Sequence, residues 1–372
     1  MIITIITFII ILAVLVFVHE FGHFWVAKKS GMGVEEFGFG FPPRLAGIQK
    51  IDGHWKIVWG NKAPLDREQT VFSINAIPLG GFVKILGENN EHENDPRSFI
   101  NRPFWGRFFT LIAGVCMNVL LAWVLISIGY MSGLPTAVSS SDDIPKYATL
   151  RDQHVAVIDL VPGGPAEKAG IVAGDIIEKV NGQNAVTIDM VHDFITSHSG
   201  EKFTFTIKHV QAVRDVEIQS KANPGPNEGP TGIVLASLGK LTFPWYWAPI
   251  EGARTVWFQI SNIFTGLYSL ITTKAGLAAV GGPVKIAKLT GEVRGLGFIY
   301  LIQFAAFLSL NLAALNILPF PALDGGRVLF LIIEKIRGKK NNQKVEQWVN
   351  TAGFVFLLLL MVVVTIKDVI KK

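Results

Sequence analysis

The chain has 372 residues, of which 50% are hydrophobic and only 17% are charged, against about a quarter charged in soluble domains. This composition excludes an ordinary soluble globular protein and indicates a membrane protein. The formal net charge is +5, but no lysine and arginine cluster is dense enough to indicate nucleic-acid binding, and a single cysteine excludes an intrachain disulfide.

Four apolar runs predict four transmembrane helices, because each is close to the roughly 20 residues that a spanning helix needs. They cover residues 1–27, 108–130, 298–318 and 347–367. The first run lacks both a basic segment before it and a small-residue cleavage site after it, so we expect it to be retained rather than cleaved as a signal peptide. Basic residues are frequent in 28–107, and the positive-inside rule therefore predicts that this segment is cytoplasmic and the N-terminus extracytoplasmic.

The cytoplasmic segment contains strand patterns. "GFGFPPRL" (38–45) precedes "HWKIVW" (54–59) and "TVFSINAIPLGGFVKIL" (70–86), which together predict a β-hairpin or small sheet at about 54–86. Both faces of these strands are apolar, which favours contact with lipid or with the helices. A soluble hairpin packed on itself is the alternative.

A soluble module follows the second apolar run. A linker rich in Ser, Pro and Asp (131–150) leads to "PGGPAEKAGIVAGDIIEKVNG" (162–182), in which glycines bracket a short helix. An amphipathic helix at 189–198 and two alternating strands after it complete an α+β module over 151–237.

The segment 244–290 contains an apolar stretch, 255–272, that is nearly long enough for a fifth span. A fifth crossing would place the basic "EKIRGKKNNQK" (334–344) on the extracytoplasmic side, against the positive-inside rule. The aromatic residues of this segment suit a membrane surface. We therefore expect an interfacial amphipathic helix, with a re-entrant or spanning helix as the alternative.

The first apolar run carries "HEFGH" (19–23), three ionisable side chains where lipid is expected. His19 and His23 are four residues apart on a helix and therefore face the same side, as two imidazoles that share a metal ion must. In H-E-x-x-H sites the histidines bind zinc and the glutamate, here Glu20, is the general base. An acidic group within a span costs at least about 2.5–3.5 kcal/mol, so a functional role is favoured over a polar cluster at a helix end.

A catalytic zinc site needs a third protein ligand. Asp324 is the strongest candidate, because it lies in "NILPFPALDGG" (316–326), where prolines and glycines break the third span around a lone carboxylate. A first span that rises about 1.5 Å per residue places His19 and His23 in the cytoplasmic half of the membrane, and the third span delivers Asp324 to the same half. Capping of the next helix is the alternative role for Asp324. Asn118 and Asn311, two further amides within spans, predict hydrogen bonds between helices.

The two motifs, "HEFGH" and "NILPFPALDGG", resemble those of the site-2 protease family of intramembrane zinc metalloproteases. "FGFPPR", "IPLGGFVKI", the PDZ-like 162–182 and "GGPVKIAK" (281–288) follow the order of its bacterial RseP-type branch, so the resemblance covers nearly the whole chain. Better-known Gram-negative members have two PDZ domains, where this chain has room for one, and often have proline at the position of Val115. These departures do not involve the predicted ligands.

The resemblance implies a polytopic α-helical membrane protein with about four transmembrane helices, a membrane-associated β-hairpin or sheet and one inserted extracytoplasmic PDZ (α+β) domain. It also implies one Zn²⁺ per chain bound by His19, His23 and Asp324, with Glu20 as the catalytic glutamate and Asn316 as a contact for substrate or transition state. The implied activity is regulated intramembrane proteolysis in a bacterial inner membrane. Its substrates would be transmembrane segments of other proteins, such as anti-sigma factors or signal-peptide remnants.

The expected organisation follows the chain. It comprises a first span (1–27), a cytoplasmic segment (28–107), a second span (108–130), a linker (131–150), a PDZ domain (151–237), an interfacial segment (244–290), a third span (298–318), the motif region with a short helix (319–333), a cytoplasmic loop (334–346) and a fourth span (347–367). The expected partners are transmembrane substrates, the lipid bilayer and a peptide ligand of the PDZ domain. The alternative role of the PDZ domain is to exclude bulky substrates.

Two other functions match part of the sequence. A non-proteolytic membrane adaptor would bind peptides through the PDZ domain and keep a structural metal site, but such a site needs no general base and prefers a fourth protein ligand. A zinc transporter would carry ionisable residues in several spans, whereas outside "HEFGH" and Asp324 the spans offer asparagines, glutamines and hydroxyl groups, and one charged side chain, Lys367, at the end of the fourth span.

Overall fold

The computed structural model describes residues 2–60, 66, 68–88, 94–138, 144–209, 212–225, 229–272 and 282–370. They form two compact units, one of residues 1–126 with 252–372 and the other of residues 127–251. Parts of five predicted segments lie outside the described residues. They are residue 1 of the first span, 61–65, 67 and 89–93 of the cytoplasmic segment, 139–143 of the linker, 210–211 and 226–228 of the PDZ-like module, and 273–281 of the interfacial segment, with the first residue of "GGPVKIAK".

Four of the described helices are long and apolar enough to cross a membrane, as the sequence predicted. They are α1 (Ile2–Lys29), α2 (Phe104–Ser132), α7 (Phe298–Asn316) and α9 (Gln343–Ile370). The ends of each helix lie within a few residues of the ends of the predicted run, because the residues that flank an apolar stretch can still form helix.

Three further helices accompany them: α5 (Ala248–Thr272), α6 (Pro283–Leu296) and α8 (Asp324–Arg337). α5 covers the stretch for which a fifth span was considered, and it is not among the helices apolar enough to cross. Its Trp257, Phe258 and Tyr268 are exposed. α8 occupies part of the predicted motif region and also the start of the predicted loop at 334–346.

Helices α1 and α2 pack with their backbones close together. A Cβ atom at Gly22 would lie 2.5 Å from the carbonyl oxygen of Ala113 and 2.8 Å from Met117 Cγ. Small residues at such contacts are typical of helix pairs in membranes. The glycine of "HEFGH" therefore sets the distance at which α2 passes the two histidines.

The cytoplasmic segment forms a sheet with the order β2-β1-β3, made of β1 (Val34–Ile51), β2 (His54–Trp59) and β3 (Val71–Ile85). The sheet therefore begins at Val34, well before the 54–86 region from which a hairpin was predicted. Residues 36–39 of β1 pair with 81–84 of β3 on one side and with 71–74 on the other, so β3 folds around β1. Phenylalanines alternate with glycines in the first half of β1, and this pattern of period two suits a strand although its glycines and prolines suggest a loop.

This sheet carries an apolar surface of unusual extent for a soluble protein. The exposed large hydrophobic side chains are Phe39, Phe41, Leu45, Ile48, Trp55, Ile57, Trp59, Phe72, Ile74 and Ile77. Contact with lipid or with the helices, which the two apolar faces in the sequence predict, would cover side chains of this kind.

The second unit is a seven-stranded sheet with two short helices. Its path is β4-β10-β5-β6-β8-β9, and β7 pairs with β6. The strands are β4 (Leu134–Val138), β5 (Thr149–Leu160), β6 (Ile176–Val180), β7 (Gln183–Asn184), β8 (Lys202–His209), β9 (Ala212–Gln219) and β10 (Ile233–Thr242), and the helices are α3 (Pro165–Lys168) and α4 (Ile188–Ser197).

The core of this unit consists of side chains from both structure types. Val155, Phe205 and Ile218 of the sheet are completely buried, as are Ala166 of α3 and Val191 of α4. The predicted linker at 131–150 contains β4, which pairs with β10. Its sequence "LPTAV" includes a proline, which is tolerated because β4 lies at the edge of the sheet.

Candidate metal centre

Helix α1 runs without a break through "HEFGH" and holds both histidines in the protein interior. His19 is 5% exposed and His23 is 7% exposed. Their Nε2 atoms are 3.2 Å apart. One turn of helix therefore brings the two imidazoles to the same point, as the spacing in the sequence predicted.

Asp324 reaches this point from the other end of the chain, because α8 begins with it immediately after a tight turn. A Cβ atom at Gly325 would collide with the carbonyl oxygens of Ile317 and Leu318, and one at Gly326 with that of Phe320. Only glycine permits such a close backbone approach. The two glycines of "LDGG" thus let the chain reverse direction after α7 and return the carboxylate to the histidines.

The atoms of these side chains that can bind metal form a small triangle. Its edges are 3.0 Å from His19 Nε2 to Asp324 Oδ2, 3.2 Å between the Nε2 atoms and 3.4 Å from His23 Nε2 to Asp324 Oδ2. Nitrogen and oxygen ligands about 2.0–2.2 Å from a tetrahedral zinc are about 3.3–3.6 Å apart, within a few tenths of these edges. The buried Oδ2 has no hydrogen-bond partner of good geometry in the described part of the chain. Both the donor set and its spacing therefore fit zinc.

Helix α2 supports the histidines from one side. His23 Nδ1 lies 2.7 Å from the carbonyl oxygen of Thr110, which can only accept, so Nδ1 carries the proton and Nε2 keeps its lone pair for the centre of the triangle. A Cβ atom at Gly114 would lie 2.6 Å from His19 Cε1 and 2.7 Å from His19 Nε2, and would also collide with His23 Nε2. Gly114 thus leaves free the space that the ligand nitrogens need.

Sequence reasoning missed Thr110 and Gly114, although the neighbouring Val115 was noted as a departure from the family pattern. The adjacent small residues Ala113 and Gly114 in an apolar span were the available signal, because small residues mark close helix contacts. That signal does not say which helix approaches. The role of Thr110 resides in its backbone carbonyl, which any residue supplies.

Glu20 lies beside the triangle, where β3 packs against α1. A Cβ atom at Gly81 would be 3.1 Å from both Cβ and Cγ of Glu20, and one at Gly80, where φ is +115°, would be 2.5 Å from Val16 Cβ. The "GG" of the strand motif thus allows the sheet to lie against the catalytic candidate. Glu20 is also within electrostatic range of His23 and Asp324.

Two ion pairs hold α8, the helix that begins at Asp324. Arg107 of α2 donates to Glu334 at 2.7 and 3.2 Å, and Arg327 pairs with Glu88, which follows β3. A polar cavity of about 50 Å³ lies among these four side chains. Charge-assisted bonds of this kind fix a helix more firmly than neutral ones. Because α8 is fixed in this way to α2 and to the segment after β3, the position of Asp324 at its start is fixed as well.

Three of the asparagines in the predicted spans have different partners. Asn316 Nδ2, at the end of α7, is 3.4 Å from His19 Nε2 and therefore lies at the triangle. Asn118 Nδ2 is 3.2 Å from His19 Nδ1. Asn311 donates to the carbonyl of Phe307 in its own helix rather than to another helix.

Comparisons with known proteins identify the family of this chain. The family model of peptidase family M50 matches residues 7–59 and 63–360. A protein of Clostridium acetobutylicum is 35% identical, and the match covers 96% of this chain and 94% of that protein. The zinc metalloprotease RasP of Geobacillus kaustophilus is 29% identical, with 99% of this chain and 98% of the relative covered.

Further matches are to a second RasP protein and to a solved domain. The regulator of sigma-W protease RasP of Bacillus subtilis is 28% identical, and the match covers 98% of each chain. A PDZ domain of an SdrC-like protein of Listeria monocytogenes is 24% identical over 22% of this chain and 85% of that domain, and its TM-score of 0.20 is too low to establish a shared fold. The family match, which covers most of the chain, and the four helices that are long and apolar enough to cross a membrane confirm the predicted resemblance to site-2 proteases of the RseP type. The chain is a multi-pass membrane metalloprotease and belongs to peptidase family M50.

Proposed function

We propose that this protein is an intramembrane zinc endopeptidase that hydrolyses peptide bonds within the transmembrane segments of other membrane proteins. The observation that carries this proposal is the triangle of His19 Nε2, His23 Nε2 and Asp324 Oδ2. The two histidines and Glu20 lie on a helix that is long enough to span a membrane. One zinc ion per chain would be held by these three atoms. Three protein ligands with a further position for water are typical of catalytic rather than structural zinc.

The side chains around the triangle have complementary tasks. Bound zinc supplies Lewis acidity, which lowers the pKa of water and polarises a carbonyl group. Glu20 accepts the proton of the attacking water and returns it to the leaving amine. The amide of Asn316, which lies 3.4 Å from His19 Nε2, donates to the scissile carbonyl or to the neighbouring substrate backbone.

A transmembrane substrate poses a further problem, because the peptide bonds of a helix are already hydrogen-bonded within it. The second half of β3 (81–84) lies at an edge of its sheet, and β3 contacts α1 at Val16 through Gly80 and at Glu20 through Gly81. A locally unwound substrate that adds a strand at this edge would regain backbone hydrogen bonds while one carbonyl faces the triangle. We propose this role for β3 in place of a mere plug for the cytoplasmic mouth.

We further propose a topology in which the N-terminus and the second unit are extracytoplasmic and the metal centre lies towards the cytoplasmic side of a bacterial inner membrane. The basic residues of 28–107 and 334–344 support this orientation. The glycine-bracketed α3 and the amphipathic α4 packed on a sheet support a PDZ domain, which would bind a peptide or exclude bulky substrates. The name of the Bacillus subtilis relative makes membrane proteins that control sigma factors the first substrates to test.

Metal analysis of the full-length protein tests the proposal. We expect one zinc per purified chain, cleavage of a single-span test substrate, loss of cleavage when a chelator removes the metal, and recovery when zinc is restored. His23→Ala should lose the metal, whereas His192→Ala, at an exposed histidine, should keep it. Undiminished cleavage by protein shown to be free of metal would refute the proposal.

Gly114→Ala is expected to weaken zinc binding by about tenfold or more, the range reported for groups that orient metal ligands. The new methyl group would occupy the space beside His19 Nε2 and His23 Nε2 and force the rings apart. Competition with a chromogenic chelator measures the dissociation constant.

Gly106→Ala is the matched control for this substitution, because it lies on the same helix and its Cβ would be 3.6 Å from the nearest atom, an ordinary contact. It should bind zinc as the wild type does. Equal zinc affinity of the Gly114 and Gly106 variants would show that the close approach of α2 does not limit the site.

A further inference from the structure

Asn118 is a buried amide whose only assigned role was to join helices. It lies on α2, is completely buried, and places its amide 3.2 Å from His19 Nδ1, on the side of the ring away from the triangle. Its Oδ1 has no hydrogen-bond partner among the described residues. A fully buried acceptor without a donor is uncommon in native proteins and requires an explanation.

The orientation of this amide decides which nitrogen of His19 carries the proton. A neutral imidazole has one N–H and one lone pair. If Nδ2 of Asn118 faces the ring, it donates to Nδ1, so the proton lies on Nε2 and blocks metal binding there. If Oδ1 faces the ring, it accepts from Nδ1–H, and Nε2 keeps the lone pair that a metal ligand needs.

The two orientations occupy the same volume. A half-turn about the last side-chain bond exchanges Oδ1 and Nδ2 and leaves the other atoms of Asn118 in place. With Oδ1 towards the ring, the orphaned oxygen gains a donor and His19 adopts the tautomer that the Thr110 carbonyl already imposes on His23. Both ligand nitrogens then face the triangle without a proton.

We propose that Asn118 is a positioning residue of the zinc site: its Oδ1 accepts the Nδ1–H of His19 and so fixes the tautomer and ring orientation that present Nε2 to the metal. The inference rests on the proposed zinc site. An oxygen acceptor on the outer nitrogen of a ligand histidine also raises its basicity, and loss of such partners typically costs 10–100-fold in metal affinity.

The position of Asn118 in the helix bundle does not depend on this side chain. Its backbone carbonyl accepts a hydrogen bond of 2.8 Å from the Ser309 hydroxyl of α7, in a buried contact. Substitution of the side chain therefore leaves the tether between α2 and α7 in place. This separates a role in orienting His19 from a role in packing the helices.

Zinc affinity of three full-length variants in detergent tests the proposal by competition with a chelator. Asn118→Leu, similar in size but without an acceptor, should weaken zinc binding 10–100-fold. Asn118→Asp, which can only accept from Nδ1–H, should stay within a few-fold of the wild type or bind more tightly. Asn311→Leu, the same substitution at an amide that bonds only its own helix, should bind as the wild type does.

Cobalt in place of zinc gives a second readout, because its visible absorption reports ligand geometry. The Asp variant should reproduce the wild-type spectrum and the Leu variant should not. If Asn118→Leu melts at a lower temperature than Asn311→Leu, Asn118→Ala, which adds no bulk, replaces it in the comparison. Wild-type zinc affinity in the Asn118 variants that lack an acceptor would overturn the proposal, and so would equal weakening of zinc binding by Asn118→Asp and Asn118→Leu. Absence of zinc from the wild-type protein would instead refute the proposed function.

Discussion

Glu20→Gln is expected to abolish cleavage of a single-span substrate and to leave zinc bound. Glutamine has the size and polarity of glutamate but cannot take a proton from water, and removal of a general base typically costs about 10²–10⁴-fold in rate. Glu20 is not part of the triangle of ligand atoms, so the metal content should stay at that of the wild type. Initial rates together with elemental analysis of the same preparation measure both effects.

The rate loss should appear in kcat, with little change in KM, because the proton transfer occurs only in the chemical step. Glu292→Gln, the same substitution at an exposed position of α6, is the matched control and should cleave normally. Cleavage by the Glu20 variant within tenfold of the wild type would remove Glu20 as the base. Loss of zinc from it would mean that Glu20 is itself a ligand.

The local part of the site was predictable because it depends on a single helix. His19, Glu20 and His23 need only α-helical spacing to be correctly placed, and an apolar run of this length guarantees the helix. Asp324 required a further argument, namely that the first and third spans carry their motifs to the same depth. The structure brings its carboxylate to within 3.0 Å of His19 Nε2, so matching depth was sufficient to find it.

The supporting residues could not be predicted, because they depend on how helices pack against one another. Thr110 contributes a carbonyl and Gly114 contributes space, and neither property is visible until α2 is placed against α1. The strand at Val34–Ile51 was noted in part, at 38–45, but lies outside the predicted hairpin at about 54–86 for another reason. Its glycines and prolines have loop propensities, and pairing with β3 on both sides outweighs them.

The contacts around α8 explain how the carboxylate proposed as the third ligand can be held accurately at the start of this helix. Arg107 and Glu88 come from different parts of the chain, and each forms an ion pair with α8, to Glu334 and Arg327 respectively. Metal sites need ligands fixed within a few tenths of an Å, and such precision comes from contacts beyond the ligands themselves. The first turn of α8 also favours a carboxylate, because the helix N-terminus is electropositive.

Asp324→Asn is expected to weaken zinc binding by more than about 100-fold, beyond the loss caused by changes outside the ligand set. The amide keeps the size of the side chain but removes the one negative charge among the three ligands, and a neutral amide oxygen is a poor ligand for zinc. Asp368→Asn is the control, because Asp368 accepts from the backbone N–H groups of Gly282 and Lys285, as asparagine can also do. Wild-type zinc content in the Asp324 variant would exclude it as the third ligand. Together with Glu20→Gln the result separates the functions considered: a protease loses zinc only in the Asp324 variant, whereas an adaptor with a four-ligand structural site that includes Glu20 would lose it in both.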